Sequence, residues 1–555
     1  GYQSALPYYQ QAIAVAQRSG NRYWTAKWYG TLAASSVATG DLALAEDYNR
    51  RAVELETQID NAVEKLPLQI NEARIAEARH QPSEAEHIYR AVTQASLSLK
   101  GTEALGIMLE ARGRLANLLS ETHREKEAEK EFQFALGIIN AKRSELIQSE
   151  YRMSYFSSCM RFYQDYVDFL VKQHRDADAL ILAESSRARV LTENLGGRGP
   201  TQVMTRRHDY RRLARASKSI LLSYWLAPTR SFLWVVTPAK ISTFQLPPAP
   251  EIERLVAAYS GAIGDLRDPI RAGSEPGCKL YEMLVGPARS LIPKGSNVSL
   301  VADASLYNLN FETLICAIPQ PYYWIEDVTL SVVPSLDLLY QNLGWHSDRS
   351  GPLFIIGDAL PSDQNGFPRL RNAALEIDHL SRLFSRAVIR TGAEAEPGSY
   401  QASQPKQFSI IHFAAHAEAN RENPLDSAII LSPHGEKYKL YAREVLGIPI
   451  RARLVTLSAC RSAGSRTYGG EGLVGFAWAF LEAGAQNVVA GLWEVDDRST
   501  AQLMENMYGN LESGATVQRA LRDAKLALLH SGGIYRKPYY WAPFQVVTDS
   551  PPSPH

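Results

Sequence analysis

Two side chains stand out for the chemistry they could do together. Cys460 closes the run LVTLSAC (454–460), and His416 comes near the close of FSIIHFAAHA (408–417). Both runs are short, apolar and rich in β-branched residues, the pattern of strands buried inside a parallel sheet. Ligand sites in such sheets lie beyond the carboxyl ends of the strands. The thiol and the imidazole are therefore expected at one sheet edge, on strands that could be neighbours. An imidazole so placed draws the thiol towards thiolate, the form that attacks a carbonyl. A third apolar run, 488–493, ends in the acidic residues Glu494, Asp496 and Asp497. These carboxylates have three readings: a solvated loop, an N-cap, or a pocket. Asp497, just before Arg498, Ser499 and Thr500, suits the N-cap of the next helix, and a pocket would pair its carboxylates with Arg or, less well, Lys.

The remaining candidates carry less. His412 and His416 are four apart, which on a helix would suggest a metal pair. Their β-branched surroundings argue for a strand, and no carboxylate follows in the HExxH manner, so no metal site is expected. His412 is read as a structural histidine pointing into the sheet, and His434, in SPHGEK, as exposed. Cys159, Cys278 and Cys316 lack a His-bearing strand end nearby and are read as small buried hydrophobes.

The elements that must position Cys460 follow from what comes after it. RSAGSRTYGGEG (461–472) is rich in Gly, Ser and Arg and reads as a mobile loop. Leu473, Phe476, Ala477, Phe480 and Leu481 then fall at helical spacing, with Gly484 where a helix would stop. Strand, loop, helix, strand makes a βαβ unit. With HFAAHA, LSACRSAG and GLWEVDD occurring in that order, the stretch from about 221 to 547 resembles the CHAT family of caspase-like cysteine proteases, and separase has a similar arrangement. The resemblance implies a cysteine endopeptidase with His416 and Cys460 as its catalytic dyad. It also implies an oxyanion site from the backbone N–H groups of Cys460 and Ala417, and no metal or organic cofactor. The equivalent of the acidic loop in separase serves a basic residue, which favours Asp497, Asp496 and Glu494 as a substrate-binding pocket. Two positions depart from the family pattern. Ala417 stands where Gly often follows the histidine, and Ala415 where Cys often precedes it; neither change removes a reacting group.

Bulk properties set the limits. The 555 residues allow two to four domains. With 59 basic and 59 acidic residues, net charge gives no reason to expect nucleic-acid or membrane binding. Four scattered cysteines without a CxxC pair argue for a reducing, cytoplasmic setting. The apolar window 473–493 has the length of a membrane span, but Glu482, Gly484, Gln486 and Asn487 interrupt it. No signal peptide opens the chain, and Gly1 abuts what reads as a repeat helix, so a truncated start or a tag scar is expected.

In order, residues 1–150 read as helical repeats. ATGDLALAEDYNRRA, RHQPSEAEHIYRAV and ETHREKEAEKEFQFA superimpose with Ala45, Asn49 and Ala52 matching Ala85, Tyr89 and Val92, then Ala128, Phe132 and Ala135. Recurrence on this scale marks a helical solenoid, here resembling tetratricopeptide repeats with lengthened helices. Residues 151–200 read as a last helical pair with an aromatic core and a linker at 196–202. Residues 201–350 read as the first half of the CHAT region, 351–548 as its active half, and 549–555 as a disordered tail. The fold class is multidomain, an all-α solenoid followed by an α/β caspase-like domain with a mostly parallel sheet. The function expected is a cysteine endopeptidase acting on a protein substrate, with a protein activator or regulator held by the repeats. A repeat-based adaptor with a protease-like scaffold and a thiol-dependent acyl hydrolase are the alternatives.

Overall fold

The computed structural model describes residues 2–59, 62–98, 102–143, 149–188, 191, 208–273, 275–317, 320–344, 351–360, 367–420, 422–459, 466–468, 472–494 and 496–551. The chain divides into two compact units, Gly1–Gln173 and His174–His555.

The first unit is built from helices: α1 (Tyr2–Arg18), α2 (Arg22–Thr39), α3 (Leu42–Ile59), α4 (Ala62–Ala78), α5 (Pro82–Ser96), α6 (Thr102–Glu121), α7 (Glu125–Arg143) and α8 (Ser149–Lys172). The nine superimposed positions of α3, α5 and α7 are all buried. Small residues at these points let helices approach closely. A Cβ added at Gly30 of α2 would come within 2.8 Å of Leu68 of α4. Asn49 of α3 donates to the Leu68 carbonyl at 3.2 Å, and Asn71 of α4 to that of Gly30 at 2.9 Å. Phe162, Tyr163, Tyr166 and Phe169 of α8 are core, as their helical spacing implies, and Tyr166 stacks on Phe132 with ring centroids 4.6 Å apart.

The second unit is organised on one sheet of eleven strands. Along the chain they are β1 (Ser219–Trp225), β2 (Ser231–Val236), β3 (Ile241–Leu246), β4 (Asn297–Val301), β5 (Thr329–Val332), β6 (Leu353–Ala359), β7 (Ala387–Gly392), β8 (Ile410–Ala414), β9 (Leu454–Ser458), β10 (Asn487–Gly491) and β11 (Phe544–Thr548). Their spatial order is β3-β2-β1-β4-β5-β11-β10-β9-β8-β6-β7. Pairing is antiparallel at β1/β2, β2/β3 and β10/β11, and parallel elsewhere. Every residue of β8 and β9 is buried, which accounts for their continuous apolar runs.

Helix α9 (Asp176–Ser185) falls in the second unit. Its Glu184 is fully buried, accepting from Ser223 Oγ of β1 at 2.7 Å and from the Leu336 N–H at 2.6 Å. Arg187 pairs with Glu184 at 3.0 Å and donates to the Tyr224 carbonyl. The expected linker at 196–202 lies outside the described residues.

Three expectations are corrected. The segment after Cys460 contains an antiparallel pair, Arg466–Tyr468 with Gly472–Val474. Thr467, Tyr468, Leu473 and Val474 have the β-branched and bulky character that favours strands over a loop. The following helix, α10 (Phe476–Ala483), therefore starts after Leu473 rather than at it, and ends with Gly484 in the left-handed conformation as anticipated. Finally, Asp549 and Ser550 are buried rather than part of a disordered tail. The Asp549 N–H bonds the Gln486 carbonyl at 3.3 Å, and its own carbonyl accepts from Asn342 at 3.0 Å. Residues 552–555 lie outside the described residues.

Candidate active site

β8 and β9 are adjacent and parallel, and their last register pair is Ala414 with Ser458. His416 lies two residues beyond that pair on one strand, and Cys460 follows Ala459 two residues beyond it on the other. Cys460 itself, with residues 461–465, lies outside the described residues. His416 and Ala459 line one cleft of about 90 Å³, together with Leu370, Ala373, Glu376, Ala414, Ala415, Ser458, Asp497 and Thr500.

His416 is half-buried and opens a three-stranded sheet of its own (His416–Glu418, Ala428–His434, Lys437–Tyr441). Its Nε2 stands 2.8 Å from the Pro368 carbonyl, and its ring packs on Phe367 at 5.2 Å. A carbonyl can only accept, so this bond places the proton on Nε2 and leaves Nδ1 as the basic nitrogen of the neutral ring. Segment 367–370 is fixed in turn by Arg369, whose guanidinium grips Asp358 with bonds of 2.8 and 2.6 Å. Asp358 sits at the end of β6 with φ +45°, an uncommon conformation outside glycine. The preceding Gly357 has no room for a side chain, because a Cβ there would collide with the Ala414 carbonyl.

The acidic residues separate into three roles. Asp496, not Asp497, caps the helix Asp497–Glu512 (α12), accepting from the Ser499 N–H at 2.9 Å. The cap moves by one residue because Asp496 has the extended backbone that an N-cap requires, φ −80° and ψ 121°, while Asp497 is already helical. Asp497 lines the cleft and accepts from both the backbone and side-chain nitrogens of Asn372 at 2.9 Å. Glu494 is exposed and is not among the cleft-lining residues. Ala417 pairs with Ile429 in the small sheet and is not among the cleft-lining residues.

A buried polar chain runs beneath the cleft and was not apparent from the sequence. Glu376 belongs to α11, the name given to helix Ala373–Leu383. Its Oε2 accepts from Ser458 Oγ at 3.2 Å, and its Oε1 lies 2.8 Å from His412 Nε2, within ion-pair distance though off the line of a good hydrogen bond. His412 Nδ1 lies 3.0 Å from the Tyr508 hydroxyl, which donates to Thr456 at 2.8 Å. Burial raises the Tyr508 phenol well above its usual range, so it remains a neutral donor. The chain thus ties β8, β9, α11 and α12 together. His412 is the fully buried histidine expected from its strand, and His434 is exposed beside Glu396.

The other thiols have different surroundings. Cys159 and Cys316 are buried and Cys278 is partly so. Burial pushes the Cys316 thiol up to about 11, and burial with the neighbouring Glu282 raises that of Cys278. Both shifts oppose thiolate formation. Among the described residues, no cluster of three or more His, Cys, Asp or Glu side chains is arranged to hold a metal ion, and no helix is long and apolar enough to cross a membrane.

Helical repeats in one unit and a mostly parallel, caspase-like α/β sheet in the other define the class of protein. Residues 274–549 match the CHAT domain and residues 1–58 a tetratricopeptide repeat. The chain is a CHAT-domain protein with N-terminal tetratricopeptide repeats. It is 23% identical over 361 residues to mouse (Mus musculus) Tetratricopeptide repeat protein 28, which covers 53% of this chain and 14% of that protein. The human (Homo sapiens) protein of the same name is 24% identical over 175 residues, covering 30% of this chain and 7% of that one. The chain therefore spans only a small part of the length of these relatives. Among solved structures, the Saccharomyces cerevisiae separase–securin complex aligns with a TM-score of 0.43 at 9% identity, covering 95% of this chain and 53% of that one. The Arg-specific cysteine proteinase gingipain R aligns with a TM-score of 0.32 at 13% identity, covering 46% and 63%.

Proposed function

We propose that the protein is a cysteine endopeptidase in which Cys460 is the nucleophile and His416 the general base. The observation that carries this reading is the register of β8 and β9. In the sequence His416 and Cys460 each follow the last pair of those strands by two residues, and His416 and Ala459 line one cleft. His416 Nδ1 accepts the thiol proton, and the thiolate attacks the peptide carbonyl to give a tetrahedral oxyanion. Backbone N–H groups, those of Cys460 and Ala417 in this reading, hold that oxyanion. As the C–N bond breaks, His416 returns the proton to the leaving amine and a thioester remains on Cys460. His416 then takes a proton from water, hydroxide adds to the thioester, and the acid and the free thiol are released. The Pro368 carbonyl supports each step by fixing the tautomer and by stabilising the imidazolium. Asp497, at the half-buried rim of the cleft, favours a basic residue before the cut. The repeats bring protein substrates or a regulator, and the setting is cytoplasmic.

A peptide library read by mass spectrometry tests this reading. The full chain should cut peptides, and Cys460→Ala and His416→Ala should each lower turnover by at least about 10³-fold with thermal midpoints near wild type. Cys316→Ser and Cys278→Ser should retain turnover. Cleavage at a normal rate by Cys460→Ala would exclude the nucleophile. Transfer of an acyl group from a thioester probe without peptide cleavage would instead assign an acyl hydrolase or transferase.

A further inference from the structure

β8 and β9 carry polar side chains on one face although they are buried strands. Alternate residues of a strand share a face, and the parallel register sets His412 beside Thr456 and Ala414 beside Ser458. Two residues further along each chain come His416 and Cys460. His412, Thr456 and Ser458 are all more than nine-tenths buried. Burying three polar side chains on one covered face is unfavourable unless each is bonded, and strand formation does not ask for them. The bonds come from α11 and α12. Tyr508 of α12 stands between His412 and Thr456. Glu376 of α11 reaches both strands: its Oε2 accepts from Ser458 of β9 at 3.2 Å, and its Oε1 lies 2.8 Å from His412 Nε2 of β8. The one proton of the Tyr508 hydroxyl goes to Thr456, so His412 Nδ1–H donates to Tyr508. His412 Nε2 therefore faces Glu376 across a gap that two lone pairs tolerate only with a proton between them.

We infer that Glu376 is a positioning residue for Cys460: it clamps β8 to β9 just below the dyad and so sets the distance between thiol and imidazole. The assignment rests on the peptidase reading above and deepens it. Three observations support it. The ladder between β8 and β9 ends at Ala414 and Ser458, so the spacing of the residues that follow depends on what fixes that last pair. The clamp has a fixed base. Asn372, one turn before Glu376 at the N-cap of α11, donates from its backbone and side-chain nitrogens to Asp497 of α12 at 2.9 Å, and Tyr508 stands on the same α12. Glu376 and Ser458 also line the cleft that His416 and Ala459 line, so a shift of the clamp is felt where the reacting groups must meet. The clamp needs two bonds, not a charge. A glutamine there can accept from Ser458 through Oε1 and donate to His412 through Nε2, which separates this role from recognition of a cation.

The test uses the full chain and two readouts: kcat and KM on a cleaved peptide, and the rate at which iodoacetamide alkylates Cys460, followed by mass spectrometry of the segment that carries it. Glu376→Leu, similar in size and without hydrogen bonds, should lower kcat by about 10- to 100-fold with KM within about threefold of wild type. It should also slow alkylation of Cys460 at least about fivefold, because the thiol is drawn towards thiolate only beside the imidazole. Glu376→Gln, which keeps both bonds, should recover most of both losses. Thermal melts show which variants are folded. Should Glu376→Leu not fold, Ser458→Ala, which removes half of the clamp, should lower kcat and the alkylation rate several-fold. Equal losses in Glu376→Gln and folded Glu376→Leu would assign Glu376 a role as a charge and overturn the clamp. A loss confined to KM, or rates unchanged in Ser458→Ala and in folded Glu376→Leu, would overturn it too. Should wild type cut no peptide at all, the peptidase reading fails and alkylation alone decides the clamp. Slower alkylation in Glu376→Leu, or in Ser458→Ala in its place, than in Glu376→Gln then supports it, and equal rates overturn it.

Discussion

The imidazole of His416 is held by one group, and that group is itself held. Pro368 contributes only its carbonyl, yet that carbonyl decides which ring nitrogen can accept a proton. Its position depends on the two-pronged grip of Arg369 on Asp358, and the exposure of Arg369 makes that grip easy to test. In the proposed mechanism, Arg369→Ala frees segment 367–370 while leaving every reacting group in place. We expect kcat to fall by about 10- to 100-fold with thermal stability nearly unchanged, and Arg369→Lys to recover only part, because an ammonium cannot bridge both oxygens. A loss confined to KM would place Arg369 in substrate binding instead. His416 and the acidic run were legible in the sequence because each closes an apolar strand. Pro368, Arg369 and Glu376 were not, because nothing local marks them. Their roles exist only once β6, β8 and α11 meet.

At the scale of elements, strand ends and helix starts explain both what was legible and what was missed. The apolar runs of β8, β9 and β10 mark buried strands, and the glycine after α10 marks its end. The closing strand β11 shows its own apolar run, FQVVT, but nothing local marks its continuation. The Ser- and Pro-rich composition after Thr548 suggested disorder, whereas β11 carries Asp549 and Ser550 into the interior beside Gln486. Burial raises the Asp549 carboxyl to about 7, opposed by its bond from Ser550. Its unfolded value is near 3.9, so between about pH 4 and 7 the folded state binds a proton that the unfolded state has lost. The stability linked to this proton is complete below pH 4 and disappears as pH rises through 7. Asp549→Asn should therefore be close to neutral at pH 4 and stabilising at pH 8, by on the order of 1–3 kcal/mol. Thermal or urea unfolding at the two pH values reads this directly, and equal effects at both would show that Asp549 is paired rather than merely buried.

For the whole molecule, the question is what the repeats do to the cleft. Every residue of the candidate site belongs to the second unit, and so does α9, the helix that begins three residues after the first unit ends. Glu184 and Arg187, in and just after that helix, are bonded into β1 and the start of the helix Leu336–Gln341, on the half of the sheet without the dyad. A fragment beginning at 202, where composition places the linker, would remove both and leave the Ser223 hydroxyl, the Leu336 N–H and the Tyr224 carbonyl without these partners. Leaving buried polar groups of this kind without partners costs about 1–3 kcal/mol each, so such a fragment would lose activity for reasons unrelated to control. A fragment of residues 174–555 keeps the network. We expect control by partner binding, with a resting chain of low activity whose competent form is selected when a protein engages the repeats. On that account the repeats do not hold the site shut. On a short peptide, the 174–555 fragment should then match the resting full chain within about twofold, since a preference carried by the bound partner is absent from both. A fragment faster than the full chain by tenfold or more would show that the repeats inhibit the cleft. If a protein that binds the repeats leaves peptide turnover unchanged while speeding the cleavage of one attached substrate, the repeats recruit and do not regulate.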